Sequence, residues 1–354
     1  MGTEHTRGWE SGALAHAAHD PFGQAPLPWL SRGADPDDPG RLLPWYVDPV
    51  ASGGAEANTP DGGIGGTEKH PAARLPRTAD DVHRQIKGFA SPGSVAPGET
   101  IDFRITVEPP QEFCIDIHRI GHYGGSGAAY ITASPRLPGM VQPAPLVAHR
   151  TVSCHHWWLS WRLKVPSYWR TGAYVAVLTT ADGHRSHIPF TVRDDPGDRP
   201  GRARADLLLV LPDITWQAYN LFPEDGRTGA SFHHCWDENG KLLGEDEAAM
   251  TVSFDRPYAG AGLPLHVGHA YDVIRWADRY GYEMAFTDAR ELHAGRIDPA
   301  RYRGLVFPGR DEYWSVPMRR AVERARDEGT SLVFLSAGTM YWQVELSASP
   351  SGEA

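Results

Sequence analysis

Between residues 81 and 193 the apolar positions come in short bursts separated by turn-forming residues. The bursts at 85–89, 100–107, 113–120, 158–165, 172–179 and 184–192 predict strands. Between them lie Ser-Pro-Gly-Ser-Val-Ala-Pro-Gly-Glu, Glu-Pro-Pro-Gln-Glu, Gly-His-Tyr-Gly-Gly-Ser-Gly and Thr-Ala-Asp-Gly, which favour turns. Phe-Arg-Ile-Thr-Val at 103–107 and Tyr-Val-Ala-Val-Leu at 174–178 read as half-buried strands. Six or seven strands within about 110 residues predict an immunoglobulin-like β-sandwich.

The texture changes after residue 205. Asp-Leu-Leu-Leu-Val-Leu-Pro at 206–212 is a continuous apolar run, as a parallel strand buried on both faces requires. Helical spacing over 271–280, closed by Gly281, predicts a helix, with a strand at 282–286 after it. A further strand at 304–308, a helix over 316–328 capped by Ser315, and a strand at 331–336 complete the pattern. The whole reads as an α+β multidomain chain: a sandwich, then an incomplete doubly wound α/β domain of flavodoxin/amidotransferase-like type. After Trp342 no further pairing element is expected, and the α/β sheet looks short at its carboxyl end.

Five segments follow: an extended, loop-rich stretch over 1–80, the sandwich over 81–193, a linker at 194–204, the α/β domain over 205–345, and a disordered tail at 346–354. The linker reading of 51–72 rests on six glycines with Ile64 as the sole aliphatic residue.

Composition narrows the function classes. The 354 residues carry 34 basic and 44 acidic side chains, a net charge of −10, which lacks the basic footprint of a nucleic-acid binder. No apolar run approaches the ~18–20 residues that span a bilayer, and the first residues lack a secretory apolar core. Neither nucleic acid nor membrane is expected as a partner. Three cysteines, Cys114, Cys154 and Cys235, without Cys-x-x-Cys spacing, fit a reducing cytoplasmic compartment.

Ligands of open α/β sheets bind beyond the carboxyl ends of the strands. There the chain offers Thr-Trp-Gln-Ala-Tyr-Asn at 215–220, Arg-Pro-Tyr-Ala-Gly at 256–260 and Gly-Arg-Asp-Glu-Tyr-Trp-Ser at 309–315. The last is a strand–turn–helix elbow without Cys or Ser at the nucleophile position, so covalent thiol or serine catalysis is not expected. A carboxylate there suits a metal ligand or a general base. Residue type alone leaves two readings open: buried tyrosines and a helix N-terminal acid, or a ligand set. The pairs His155–His156 and His233–His234 read as structural, because neighbours on a strand point to opposite faces. His266 and His269 flank a loop glycine without a companion carboxylate, and Trp157, Trp158 and Trp161 read as sandwich core.

The elbow, together with Phe-Leu-Ser-Ala-Gly-Thr-Met-Tyr-Trp-Gln at 334–343, Ile-His-Arg-Ile-Gly-His-Tyr-Gly-Gly at 117–125 and Trp-Gln-Ala-Tyr-Asn at 216–220, resembles the N,N-dimethylformamidase large (beta) subunit family. The resemblance covers roughly residues 80–345. It implies a mononuclear Fe(III) held by Tyr219, Tyr258 and Glu312, and hydrolysis of small linear amides to an acid and an amine. Arg310 stands where the family commonly has His and becomes a candidate substrate or oxyanion contact; Gly338 stands where the family commonly has Asn. The implied partners are a small amide, with a homo-oligomer or a small partner subunit. Hard oxygen donors suit a hard trivalent cation, which would polarise the amide carbonyl and lower the pKa of bound water. The alternative is a non-catalytic or truncated relative that acts as a protein-interaction module through its open sheet edge.

Overall fold

The computed structural model describes residues 77–195 and 205–348. The expectations for most of 1–80, for the linker and for the end of the tail lie outside these residues. The described chain is β-rich with several sheets and four α-helices among the described residues. No described helix is long and apolar enough to cross a membrane.

Strands β1 (Lys87–Ser91), β2 (Thr100–Thr106), β3 (Glu112–Ile120), β4 (Ala128–Ala133), β5 (Trp161–Lys164), β6 (Gly172–Thr180) and β7 (His184–Val192) build two antiparallel layers. The larger layer runs β7-β6-β3-β4, with short additions from Arg77–Thr78, Ser94–Val95 and Leu137–Pro138; the smaller runs β5-β2-β1. Ile101, Phe103 and Ile105 meet Ile115, Ile117, Tyr174, Ala176 and Leu178 between the layers. The predicted strand positions hold, with the first shifted from 85–89 to Lys87–Ser91 and the fourth trimmed from 158–165 to Trp161–Lys164.

The half-buried reading of 174–178 is corrected. Seven of the nine residues of β6, Gly172–Leu178, are buried without a break. Its second face, Ala173, Val175 and Val177, packs on Leu209, Trp216, Tyr271 and Ile274 of the parallel-sheet region. A strand covered on both faces loses the polar alternation. The tryptophan expectation holds only in part. Trp157 is buried, in a separate cluster with Phe89 and Phe222; Trp161 stacks on core Phe103; Trp158 is exposed.

Strands β8 (Leu207–Leu211), β9 (Met284–Asp288), β10 (Gly304–Arg310) and β12 (Ser331–Ala337) form a parallel sheet in the order β9-β8-β10-β12. Short β11 (Tyr313–Ser315) and β13 (Trp342–Val344) pair in parallel beside it. That pairing corrects the expectation that nothing after Trp342 finds a partner. Helix α1 (Asp213–Tyr219) has no counterpart among the predicted elements; it is short and carries a β-branched pair, Ile214–Thr215. Helix α2 (Val267–Arg279) begins four residues earlier than predicted, α3 is Ala289–His293, and α4 is Val316–Asp327. Ser315 caps α4 as expected, accepting from Met318 N at 3.3 Å.

Helix α2 covers one face of the parallel sheet; α4 covers the other through Met318, Val322 and Ala325. In chain order the strands run 2-1-3-4, so connections leave β8 to either side. The crevice between the carboxyl ends of β8 and β10 is therefore the topological switch point, where such sheets hold ligands.

Candidate active site

Helix α1 leaves the end of β8, and the Arg310–Glu312 elbow leaves the end of β10. Thr215 on α1 joins them: its hydroxyl oxygen accepts from Glu312 N at 3.0 Å and from Tyr313 N at 3.1 Å. One helical turn further, Tyr219 shares that face. Its hydroxyl lies 2.9 Å from Glu312 Oε1 and 2.8 Å from Oε2, centred on the carboxylate. Arg310 Nη1 donates to Tyr219 Oη at 3.2 Å and lies 3.5 Å from Glu312 Oε1. Burial first, then the Glu312 charge, push the Tyr219 phenol above its ordinary value, so it is held protonated as a donor to the carboxylate.

Gly338 is what lets Glu312 approach. It adopts φ +64°, and a Cβ there would lie 2.7 Å from Glu312 Cγ. Any side chain at 338 would meet both backbone strain and the carboxylate arm.

Three aromatic neighbours complete this face. His233 stacks on Tyr219, with ring centroids 4.0 Å apart and planes 16° apart. His233 Nδ1 lies 3.0 Å from Glu245 Oε1, and its Nε2 lies 2.9 Å from Tyr313 Oη. With the carboxylate accepting from Nδ1–H, Nε2 accepts from the Tyr313 hydroxyl. His266 meets the Tyr219 ring edge-on at 5.8 Å and stacks on His269 at 6.1 Å. For His233 the structural role has a definite form, a ring that supports Tyr219. Its sequence position held no signal, because it reaches Tyr219 from a loop 14 residues away. No group of three or more His, Cys, Asp or Glu side chains arranged for a metal ion occurs among the described residues.

Tyr258 lies with Asp213, Trp216 and Gln217 in the lining of a cavity between α1 and the antiparallel layer. Tyr219 and Glu312 do not line that cavity. Residues 213 and 217 lie one turn apart on one side of the helix; 215 and 219 lie on the other. Burial raises the Tyr258 phenol, and Asp213 adds to the rise.

Arg256 fastens the 256–260 loop to the end of α1. Only 1% exposed, it donates to Ala230 O at 2.8 Å, Asn220 O at 3.0 Å and Gln217 O at 3.3 Å, satisfying carbonyls at the helix terminus. Burial brings its guanidinium down to about 10. Asn220 adds two bonds, donating to Pro257 O at 2.9 Å and accepting from Ala259 N at 3.1 Å.

Buried acids gather behind the elbow. Asp311 is 1% exposed, neither carboxylate oxygen finds a partner, and burial pushes it up to about 8. Asp213 accepts from Ala289 N at 3.0 Å and pairs with Arg290 Nε. Asp288 caps α3 by accepting from Glu291 N at 3.1 Å; burial first and Asp213 next push it well above the carboxylate range. None of these acids is among the site residues expected from the sequence, although Asp311 stands in the elbow motif.

The donor chemistry bears on the implied iron. Tyr219 and Glu312 fit a hard cation: two oxygen donors converge with a proton between them that a metal would displace. Arg310 already places a positive charge against both.

Comparison with known proteins adds one strong finding. The model of the family described as N,N-dimethylformamidase beta subunit-like, C-terminal, matches residues 114–353. A search of curated proteins finds no match. Among solved structures, a cycloisomaltooligosaccharide glucanotransferase from Paenibacillus sp. is similar at 8% identity with a TM-score of 0.21. The match covers 72% of this chain and 45% of that one.

Proposed function

We propose, from the premise that the chain belongs to the N,N-dimethylformamidase beta subunit-like family, that it is an iron-dependent hydrolase of small linear amides. The observation that carries the reading is the convergence of Tyr219 and Glu312 at 2.8–2.9 Å at the switch point of the parallel sheet. Tyr219 and Glu312 would hold Fe(III), with Tyr258 the third ligand that the family implies. When bound, the ion supplies Lewis acidity toward the amide carbonyl and a lowered pKa for water.

This chain's own residues do the rest. Gly338 leaves room for the Glu312 arm. His233 holds the plane of the Tyr219 ring. Arg310 supplies a fixed positive charge that can bind the carboxylate product or the oxyanion of a tetrahedral intermediate, though it cannot shuttle a proton at neutral pH. The finer fold reading belongs to the same proposal: an immunoglobulin-like sandwich over 81–193 and an incomplete doubly wound domain over 205–345, supported by the 2-1-3-4 strand order. A cytoplasmic setting and a small partner subunit go with it.

A second reading has its own observations. Edge strand β12 exposes Val333, Phe334 and Leu335 at 38%, 40% and 48%. A metal-free relative that pairs with another chain through this edge would look the same.

Iron content and the visible spectrum of the purified chain, beside Glu312→Gln and Tyr219→Phe, separate the two. Near one iron per chain, a tyrosinate-to-iron band lost in Tyr219→Phe, and formamide turnover support the hydrolase. A folded, colourless chain that takes up no added Fe(III) and turns over no amide overturns it.

A further inference from the structure

The stack of His233 on Tyr219 is only as rigid as whatever holds His233. That residue reaches the site on an excursion of the chain between 231 and 249. Ala249 N donates to Ser231 O at 2.9 Å and closes the neck, and Phe232 N donates to Ala218 O at 2.9 Å, which ties the neck to the last turn of α1 beside Tyr219. Ser231, fully buried, turns the chain there: its hydroxyl oxygen accepts from His233 N at 3.1 Å and from His234 N at 2.9 Å.

The turn fixes where the imidazole starts, not how its plane stands. Two side chains settle the plane. Glu245, on the returning limb of the excursion, accepts from Nδ1–H at 3.0 Å, and Tyr313, on β11, donates its hydroxyl to Nε2 at 2.9 Å. Held at both nitrogens, the ring keeps one tautomer and cannot rotate without breaking both bonds. Tyr313 is itself fixed: it is 5% exposed and its backbone N–H donates to Thr215 Oγ1 at 3.1 Å. Thr215 and Tyr219 share one face of α1, so the contacts form a closed circuit from Thr215 through Tyr313 and His233 to Tyr219 and back along the helix.

We propose that Glu245 and Tyr313 are positioning residues for Tyr219, acting through His233. Their two hydrogen bonds set the plane of the imidazole, the 4.0 Å stack passes that plane to the phenol ring, and the phenol oxygen is thereby held on the Glu312 carboxylate. The circuit operates in the metal-free chain. Its consequence for iron rests on the proposed function: a ligand ring oriented beforehand by its outer partners binds the ion more tightly.

The test reads Tyr219 in the full-length, metal-free chain by NMR of ring-labelled tyrosine, with Tyr219→Phe assigning its signals. A stacked imidazole displaces those signals, and His233→Leu defines their unstacked position. Tyr313→Phe, which loses only the hydroxyl, and Glu245→Ala are each expected to move them toward that position. Glu245→Gln retains an acceptor for Nδ1–H and should restore the wild-type position. Arg150→Ala cuts the surface ion pair to Glu247 elsewhere on the excursion and should move nothing. The Glu245 side chain is 58% exposed, so its two variants decide the matter even if Tyr313→Phe does not fold. Signals unmoved in either folded variant, or the same displacement in Glu245→Gln or Arg150→Ala as in Glu245→Ala, overturn the proposal. Titration with Fe(III) nitrilotriacetate gives the second readout: uptake about tenfold weaker in Glu245→Ala and Tyr313→Phe, with a displaced tyrosinate-to-iron band. Equal uptake with an unmoved band overturns the consequence for iron. Iron uptake beside unmoved Tyr219 signals would sink the positioning role alone; a chain that takes up no iron, yet whose Tyr219 signals move as expected, keeps that role while the hydrolase reading falls.

Discussion

Tyr219 and Glu312, 93 residues apart in the chain, share a hydrogen bond in which one phenol bridges both carboxylate oxygens at 2.9 and 2.8 Å. Because the phenol is pushed up by burial and by this carboxylate, the pair shares a proton in the metal-free chain. Tyr219→Phe is expected to cost about 1–2 kcal/mol in urea unfolding without metal, the range for a hydrogen bond to a charged group that is partly solvent-screened. Combining it with Glu312→Gln should add little, because each single change already removes the same bond. Strictly additive losses would show that the two side chains do not interact in solution.

Gly338 controls whether that pair can form. Introducing Asn, with a Cβ 2.7 Å from Glu312 Cγ and φ at +64°, is expected to cost on the order of 1–3 kcal/mol and to displace the carboxylate. The visible sign would be loss of any Fe(III) uptake together with a lower urea midpoint. Unchanged uptake would mean that the 338–340 turn yields without moving Glu312.

Arg256→Met keeps much of the volume and removes the guanidinium that joins the α1 terminus to residue 230. A loss of about 3–5 kcal/mol is expected, because two carbonyls at a buried helix end and that of Ala230 lose their donor. Hydrogen exchange should speed up at 217–222 and 256–260 before it does in β6.

Lys87 is fully buried on β1, with Nζ 2.5 Å from Asp81 Oδ1 and bonded to Gly260 O. Asp81 Oδ2 in turn accepts from Glu224 N at 2.8 Å and Gly260 N at 3.2 Å. This pair ties the antiparallel layer to the two loops that follow Tyr219 and Tyr258. Lys87→Met alone strands a buried carboxylate and should cost about 3–5 kcal/mol. Lys87→Met with Asp81→Asn should recover part of it, and chemical unfolding of both variants is the check.

Acid should loosen the join between the layers. His118 and His187 are buried and brought down to about 4, by burial first and by Arg185 among the nearby charges. Below an unfolded-state value of ~6.5 the unfolded chain binds protons that the folded chain refuses, so stability rises with pH across this window. It is complete above about 6.5 and lost as pH falls toward 4. Each histidine contributes on the order of 2 kcal/mol between pH 7 and pH 5. Urea midpoints at pH 7, 6 and 5 should fall in step, and His118→Phe should flatten the fall; a flat wild-type profile would refute the assignment.

Much of the fold is legible in the chain. Turn residues between apolar bursts mark the strands of the antiparallel layers, and the unbroken run at 207–211 marks a strand covered on both faces. The same logic misleads at β6. Tyr-Val-Ala-Val-Leu resembles a strand with one wet face, but the parallel-sheet region lies on the second face, and nothing local records that partner. Helix α1 is hidden for a related reason: seven residues with weak propensity hold their shape through Arg256, Asn220 and Thr215, whose partners come from distant segments.

The candidate site divides along the same line. Its residue types are written in the sequence: an elbow carrying Arg310, Asp311 and Glu312 without a nucleophile, and tyrosines in the 215–220 and 256–260 segments. Which of them meet is decided by tertiary structure. Helix α1 turns 100° per residue, so Tyr219 reaches Glu312 while Gln217, two positions earlier, turns toward Tyr258 and the cavity. His233 joins Tyr219 only because segments far apart in the chain pack together. Local periodicity sets which side chains can lie inside, since it follows from backbone geometry; the neighbours they find there depend on packing between elements, which no single segment encodes.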